Sequence, residues 1–492
     1  MFKKAISVVI AILIVLTTCT SAMAFYFPEP DWGQLLREKQ DMVMETEVEL
    51  YGQASVESAP YYGAKFEPRG GAYIGSIPEN SGAMMPLGSY LTYIEHMYQN
   101  DLYYPSNNMI RQDSVIATIG WTIHDMNTVD YSHVRNVLNT LNSYNKPMFI
   151  RFANEMNCSS LGDDPHKYIE VFRTVANMVH EYPNFAVVWA PNDLGALDRP
   201  FEYFYPGDEY VDWVGVSCYS VKYFVGNRNT TYNDSVYFMT GDFAWATNKI
   251  KPVMEFMEKN GINKPVMISE GGVATNNKYG DEYQYWNQPR LRNYLWYLIM
   301  KYPQIKLVNY FDTHRAGETE RYDISGYQYA VDIFNEARTS GAYITEYNGS
   351  PEFVFQPVNN AGTMVAKNGK VKLYTYAYIP QNQDVTVNYY IDSNWYHSSN
   401  QIPYICNFDI SSVADGKHTL EIDAAGKRKK YEFYKRGNAI RFGAEPDMNA
   451  VYTEPQPAPE KVADERITYD YNLVRYSSGV YSTLGRIFNY YF

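Results

Sequence analysis

Cysteine is nearly absent from this sequence. Only four stand among 492 residues, far apart at Cys19, Cys158, Cys218 and Cys406. That spacing makes no disulfide framework and matches no zinc pattern, so ordinary packing must hold the core and no metal site is expected. Histidine is scarce as well, at eight. With neither a His-rich cluster nor a Gly-flanked nucleophilic serine, a metal-dependent deacetylase or a serine esterase lacks its working parts. Positive charge is in deficit: 42 Lys and Arg against 55 Asp and Glu leave −13. Nucleic acid and anionic surfaces are therefore poor partners. Beyond the first two dozen residues no apolar run is long enough to span a bilayer, so no stable membrane insertion is expected.

Tyrosine, by contrast, is abundant at 49 residues. Its ring offers a flat apolar face with a polar tip, which suits stacking on sugar rings, although most tyrosines will simply pack. At the N-terminus, Lys3 and Lys4 precede a stretch from Ile6 to Leu16 that is apolar apart from Ser7, and Ser21-Ala22-Met23-Ala24 follows. That order reads as a secretory signal over residues 1–24, cleaved after Ala24, and predicts a secreted protein. Cys19 follows Leu16-Thr17-Thr18 and lacks the small residues expected before a lipoprotein cysteine.

From about Gly70 to Asp312 short β-rich runs alternate with helical patterns, which predicts an α/β fold built on a parallel sheet. The runs are Ala72–Ile77, Val115–Trp121, Pro147–Glu155, Phe185–Asn192, Val211–Tyr219, Pro265–Gly272 and Ile305–Asp312. Between them Val134, Val137, Leu138 and Leu141 share one helix face, as do Tyr168, Phe172, Val175 and Val179. Seven runs are one short of a (β/α)8 barrel. The missing strand must lie upstream, around Tyr61–Phe66 or between Pro78 and Ser114, which makes Pro147–Glu155 strand four and Pro265–Gly272 strand seven.

After the barrel the texture changes to alternating strands, among them Val371–Tyr376 and Val385–Tyr389, with an Asp415-Gly416 turn before Lys417–Ile422. No helical period interrupts them, so a small all-β sandwich is expected. The segment Asp415–Ala424 resembles the penultimate hairpin of bacterial immunoglobulin-like modules. The predicted organisation is an N-terminal extension (25–59), a barrel (60–345), an immunoglobulin-like sandwich (355–435), and a Pro-containing linker with a tyrosine-rich tail (436–492).

Two strand ends carry the chemistry. Strand four closes on Arg151-Phe152-Ala153-Asn154-Glu155 and strand seven on Ile268-Ser269-Glu270-Gly271-Gly272. Polar residues at the C-terminal ends of barrel strands face the catalytic mouth. Hydrolysis of a glycosidic bond with retention needs one carboxylic acid and one carboxylate about 5–5.5 Å apart, and opposite sides of one mouth can supply that separation. Gly271 and Gly272 allow close backbone approach. Either glutamate alone would more often be a surface residue; together, at these two strands, they predict catalysis.

At these residues the chain resembles the glycoside hydrolases of clan A, most closely family 26, the β-mannanase family. Arg151–Asn157 resembles its acid/base motif, Tyr205–Val216 the long signature leading into strand six, and Pro265–Glu270 its nucleophile strand. The resemblance covers about residues 70–325. It implies an endo-β-mannanase-like hydrolase acting on a β-linked polysaccharide without any cofactor, with Glu155 as acid/base and Glu270 as nucleophile. It further implies that Tyr219 bonds the nucleophile, that Arg151 supports its charge, and that Trp189 is a subsite aromatic. Substrate-contact candidates also include Trp121 and His124 after strand three. At strand eight, one of Tyr310 and Phe311 must face inward, with Tyr310 the first candidate. Family 26 usually has histidine before the acid/base glutamate. Here Asn154 stands there, as in the wider clan, where it binds the 2-hydroxyl of the sugar being cleaved, so mannan in particular is put in question. The competing expectation is a secreted carbohydrate-binding or cell-wall scaffold protein on a hydrolase-like barrel, with association to a cell wall through the sandwich and tail. Two close carboxylates, which mere binding does not need, argue against it.

Overall fold

The computed structural model of the protein describes residues 46–77, 84–95, 115–158, 160–193, 200–220, 245–277, 284–313, 320–379 and 385–447. The leader expected over residues 1–24, most of the expected N-terminal extension, and the expected linker and tail beyond residue 447 lie outside the described residues. The first described strand, β1 (Glu47–Ala54), belongs to the second, all-β half of the molecule.

Eight parallel strands make the barrel: β2 (Ala72–Ser76), β3 (Ser89–Glu95), β4 (Ile116–Thr122), β5 (Met148–Phe152), β6 (Phe185–Trp189), β7 (Trp213–Ser220), β8 (Val266–Val273) and β9 (Ile305–Tyr310). Each pairs with the next, and β9 pairs with β2, so the sheet closes and these strands expose no free edge. The strand uncounted in the sequence is β3, within the interval from Pro78 to Ser114. The other candidate, residues 61–66, is not a strand. It packs against the barrel: Phe66 meets the Phe149 ring edge-on at 5.9 Å, and the Trp213 indole N–H donates to the Lys65 carbonyl at 2.8 Å.

Helices follow the strands for local reasons. In α1 (Tyr131–Asn142) the Asp130 carboxylate caps the N-terminus by accepting from Ser132 N–H, and Val134, Val137, Leu138 and Leu141 are buried. In α2 (Pro165–His180) Asp164 is the cap, Pro165 fills the first turn where its missing N–H costs nothing, and Tyr168, Phe172, Val175 and Val179 are buried. The strands then divide their side chains by alternation. Phe149, Ala186, Val188, Trp213, Met267 and Leu307 pack together in one cluster inside the barrel. Their neighbours in sequence pack against the helices.

The second unit is all-β. Its strands are β10 (Val354–Pro357), β11 (Thr363–Val365), β12 (Lys370–Tyr378), β13 (Val387–Ile391), β14 (Asn394–Ser399), β15 (Tyr404–Asp409), β16 (Gly416–Ala424), β17 (Lys427–Arg436) and β18 (Ala439–Phe442). They form two antiparallel sheets, ordered β10-β1-β12-β15 and β11-β18-β17-β16-β13-β14, consistent with an immunoglobulin-like sandwich. The first of these sheets contains β1. Residues 47–54, read in the sequence as part of an extension, pair on one side with β10 and on the other with β12, where Glu47 faces Tyr378 and Gly52 faces Leu373.

The two units share a buried seam. Tyr297 lies against Tyr376 with ring centroids 4.5 Å apart, and its hydroxyl donates to Thr375 O and accepts from Ala377 N–H. Arg292 donates to Ile402 O at 2.9 Å. Tyr297 ends a five-residue π-helical turn, Asn293–Tyr297, that widens the helix where it meets the sandwich. Among the described residues no helix is long and apolar enough to cross a membrane.

Candidate active site

After β5 the chain turns sharply. Ala153 and Glu155 both take left-handed backbone angles, φ 50° and 57°, a conformation that costs non-glycine residues about 1 kcal/mol or more and persists only when the surroundings impose it. Here the neighbouring strands do so: Ala153 N–H donates to Trp121 O at 2.9 Å and Glu155 N–H to Ala190 O at 2.8 Å. The turn delivers the Glu155 carboxyl into the mouth of the barrel.

Glu270 arrives by a different device. Val216 of β7 pairs with Ile268 of β8, but Ser217 pairs with Glu270, so Ser269 is an extra residue. This bulge shifts the alternation by one and brings the Glu270 side chain inward. The Ser269 carbonyl accepts from Asn309 at 3.2 Å. A Cβ on Gly271 would run into the Cys218 carbonyl and the Tyr294 hydroxyl, so β7 and β8 approach this closely only with glycine there.

The two carboxyl groups have unlike surroundings. Glu270 Oε2 accepts from the Arg151 guanidinium at 2.9 Å and from the Tyr93 hydroxyl at 2.8 Å, and Oε1 accepts from the Tyr219 hydroxyl at 3.0 Å. Arg151 is fully buried; burial works against its charge, but Glu270, then Tyr93 and Glu155, more than compensate and hold it protonated. Glu155 is 8 % exposed, and Asn192 donates to its Oε1 at 2.8 Å. Burial first, and the nearby Glu270 charge second, push its carboxyl up to about 7; the bond from Asn192, Arg151 and Ser217 pull the other way. One carboxylate is thus surrounded by donors for its charge while the other is pressed towards its neutral form.

The surrounding side chains reinforce this. Tyr93 crosses Gly120, where a Cβ would collide with its ring. Phe311 lies edge-on to both Tyr93 and Tyr219, at 6.3 and 5.8 Å, and Tyr322 leans on Tyr219 at 4.8 Å. Beneath, Lys249 donates to the Tyr219 carbonyl and pairs with Asp193 at 2.9 Å, both nearly fully buried. Asn154 projects from the same turn as Glu155, half-buried, with its Oδ1 enclosed and without a partner among the described residues.

Arg151, Asn154, Glu155, Tyr219 and Glu270 therefore gather at one mouth. Trp121, Trp189 and Tyr310 do not join them. Trp121 meets Phe152 at 5.5 Å, and Trp189 is packed among Phe201, Tyr205 and Phe256. Tyr310 meets Tyr294 and Phe334, and its hydroxyl is tied to Val273 and Tyr322 backbone. All three occupy the outward phase of their strands, against the helical shell, and are fully buried there. At β9 it is Phe311, not Tyr310, that reaches the site. His124 sits half-buried after β4, where burial lowers the pKa of its imidazole. Sequence reasoning passed over Tyr93, which lies on the uncounted strand, and Asn192 and Ser217, which stand within runs quoted as strands but carry no signal of their own. Among the described residues no group of three or more His, Cys, Asp or Glu side chains is placed to hold a metal ion.

A closed (β/α)8 barrel with such a carboxyl pair in its mouth is the frame of a glycoside hydrolase. Residues 115–290, which include both glutamates, match the family described as Glycosyl hydrolase family 26, and this match marks the barrel as a glycoside hydrolase domain similar to that family. Among solved structures, an endo-β-1,4-mannanase double mutant of Cellulomonas fimi aligns at 12 % identity over 79 % of this chain and 99 % of its own, with a TM-score of 0.39. The GH26 β-mannanase of Bacteroides ovatus gives 13 % identity over 58 % and 92 %, with a TM-score of 0.39. A β-glucuronidase of Bacteroides uniformis gives 11 % over 73 % and 42 %, with a TM-score of 0.38. No curated protein matches the sequence significantly. The likeness to family 26 rests on the match over residues 115–290 and not on these distant overlaps.

Proposed function

We propose that the protein is an exported retaining hydrolase that cleaves a β-linked polysaccharide, β-mannan or a closely related β-glycan, by double displacement. The observation that carries this is the asymmetry of the two carboxyl groups. Glu270, bonded by Arg151, Tyr93 and Tyr219, is the carboxylate that attacks the anomeric carbon. Glu155, pushed up to about 7 by burial and by Glu270, carries the proton that the departing glycosidic oxygen takes. Once the leaving group has gone, Glu155 is a carboxylate and removes a proton from the water that attacks the glycosyl ester on Glu270, which frees both residues for another turn.

Asn154 supplies a sugar contact. Its enclosed Oδ1 lacks a partner among the described residues, a state that costs about 1–3 kcal/mol when no hydroxyl fills it. A sugar 2-hydroxyl donating there would bind more strongly as the ring flattens towards the transition state. The match to family 26 over residues 115–290 favours mannan; an asparagine in the family's usual histidine position keeps other β-glycans in view. The leader over residues 1–24 supports export, which N-terminal sequencing of the protein from culture medium checks.

Incubation with mannan, mixed-linkage glucan and xylan, with the anomeric configuration of the first products read by NMR, tests the whole reading. Retained β-products from one of these polymers are expected. Inverted products would rule out the covalent route and require a water between the carboxyl groups.

A further inference from the structure

The bond that reaches Glu155 is itself held in place. Asn192, which donates to Glu155 Oε1 at 2.8 Å, follows β6 in a segment with no helix or strand of its own. Asn157 grips its backbone twice: the Asn157 amide N–H donates to Asn192 O at 2.9 Å, and Asn192 N–H donates to Asn157 Oδ1 at 2.8 Å. One side-chain amide thereby makes the two bonds that a neighbouring strand would make. Asn157 is 1 % exposed, so water does not compete for them. On its other side the segment is stitched to β7, with Ser217 N–H donating to Pro191 O and Asp193 N–H to Ser217 O, both at 3.0 Å.

We propose that Asn157 is a positioning residue for this site: by fixing the Asn192 backbone it keeps an amide N–H on Glu155 Oε1, so that the transferable proton is carried on Oε2. The inference rests on the reading of Glu155 as the acid/base. Its chemistry is that of a donor meeting a carboxyl group. The carbonyl oxygen of a neutral carboxyl accepts a hydrogen bond better than its hydroxyl oxygen does, so an amide N–H held on Oε1 favours the hydrogen on Oε2. When the glycosidic oxygen takes that hydrogen, the Oε2–H bond breaks and the new carboxylate keeps the Asn192 bond, now charge-assisted and stronger. In the second half-reaction Oε2 takes a proton back from water. Without the clamp, the Asn192 amide wanders and the proton distributes over both oxygens, only one of which faces the bond to be cleaved.

The groups that face Glu155 are Asn192 after β6, Arg151 of β5, Ser217 and Tyr219 of β7 and Glu270 of β8. Of these, the clamp controls Asn192. Its bond favours the charged carboxyl, so loss of the bond should move the alkaline limb of the pH profile upward.

The test compares Asn157→Ala and Asn192→Ala with Glu155→Gln on two aryl β-glycosides of the disaccharide unit that the polysaccharide panel returns. One carries a dinitrophenyl leaving group, which departs without a proton; the other carries phenyl, which needs one. Asn157→Ala should lower kcat/KM about 10–100-fold on the phenyl substrate and by no more than about threefold on the dinitrophenyl one, in the manner of a weakened general acid. The alkaline limb should rise by about half a unit to one unit, the size of one lost hydrogen bond. Equal losses on both substrates, or an unmoved limb, would overturn the proposal. If Asn157→Ala fails to fold by circular dichroism, Asn192→Ala at its half-buried position must show the same split, or the proposal falls. Should Glu155→Gln itself show no leaving-group dependence, the acid/base reading fails and takes this one with it. Should Glu155→Gln show it and the asparagine variants not, only the role of Asn157 is lost.

Discussion

The ends of β5 and β8 present the same functional group in opposite ways. At β8 the chain bulges, and three donors from β3, β5 and β7 converge on Glu270. At β5 it folds through left-handed residues, and the donors that reach Glu155 are neutral, the Asn192 amide and the Ser217 hydroxyl. Both carboxyls are buried, so burial alone does not separate their roles. The donors do: Arg151, Tyr93 and Tyr219 bond both oxygens of Glu270, the guanidinium among them, while Glu155 beside it is pushed towards its neutral form by burial and by Glu270. On the proposed reading, an acid and a nucleophile are made from identical side chains according to which neighbouring strands end in a charged donor.

The severest way to break the contrast is to delete the charged partner. Glu270→Ala should lower kcat on the order of 10⁴-fold or more, as loss of a covalent nucleophile does. Azide should restore turnover and give a product of inverted configuration; a folded variant that azide fails to rescue would speak against Glu270 as nucleophile. Glu155→Gln comes next, with a fall of about 10²–10⁴-fold on poor leaving groups. It should also erase the decline in wild-type activity above about pH 7 that ionisation of Glu155 predicts. A decline that survives the substitution would belong to another group.

Thinning the donors around Glu270 sharpens the comparison more gently. Tyr93→Phe and Tyr219→Phe each remove one hydrogen bond to a charged oxygen, worth about 1.5–3 kcal/mol, and kcat should drop about 10–100-fold. An unchanged kcat in either would mean that the bond is made equally in ground and transition states.

The smallest effect is on stability. The Glu155 carboxyl is raised from an unfolded value of 4.5 to about 7. Its contribution is therefore fully present below pH 4.5 and is lost as the pH climbs through 7, by up to about 3 kcal/mol. Thermal unfolding of Glu155→Gln against wild type should show the variant gaining relative stability between pH 4.5 and 8. A difference that stays constant over this range would remove the raised pKa from the account.

Much of this site was legible because two glutamates sit at strand ends, where alternation and topology force polar groups into the mouth. The barrel was legible through its βα alternation, and the ambiguity over the missing strand was resolved in favour of Ser89–Glu95. What stayed hidden has physical causes. Barrel strands are buried on both faces, so apolar residues fill both phases and composition does not tell inward from outward. Trp121, Trp189 and Tyr310 were misplaced on that account, since sugar-stacking rings and shell-packing rings look alike in sequence. Tyr93 was missed with its strand. Asn157 and Asn192 were invisible because an amide that bonds backbone leaves no pattern, and β1 went unread because its partners lie so far along the chain.

That last distance bears on synthesis. The strand Glu47–Ala54 leaves the ribosome about 300 residues before Lys370–Tyr378 supplies the neighbour for its longer ladder, an interval on the order of 15–60 s at ordinary elongation rates. Until then Val48 and Leu50, both buried in the finished protein, lack the longer of their two neighbours, and the edge that Lys370–Tyr378 will cover is open to pairing with other chains. The barrel can close while translation continues. The sandwich must wait for the ends of the fold to meet, which makes its completion the last event of folding and the interval before it the time when aggregation is most favoured.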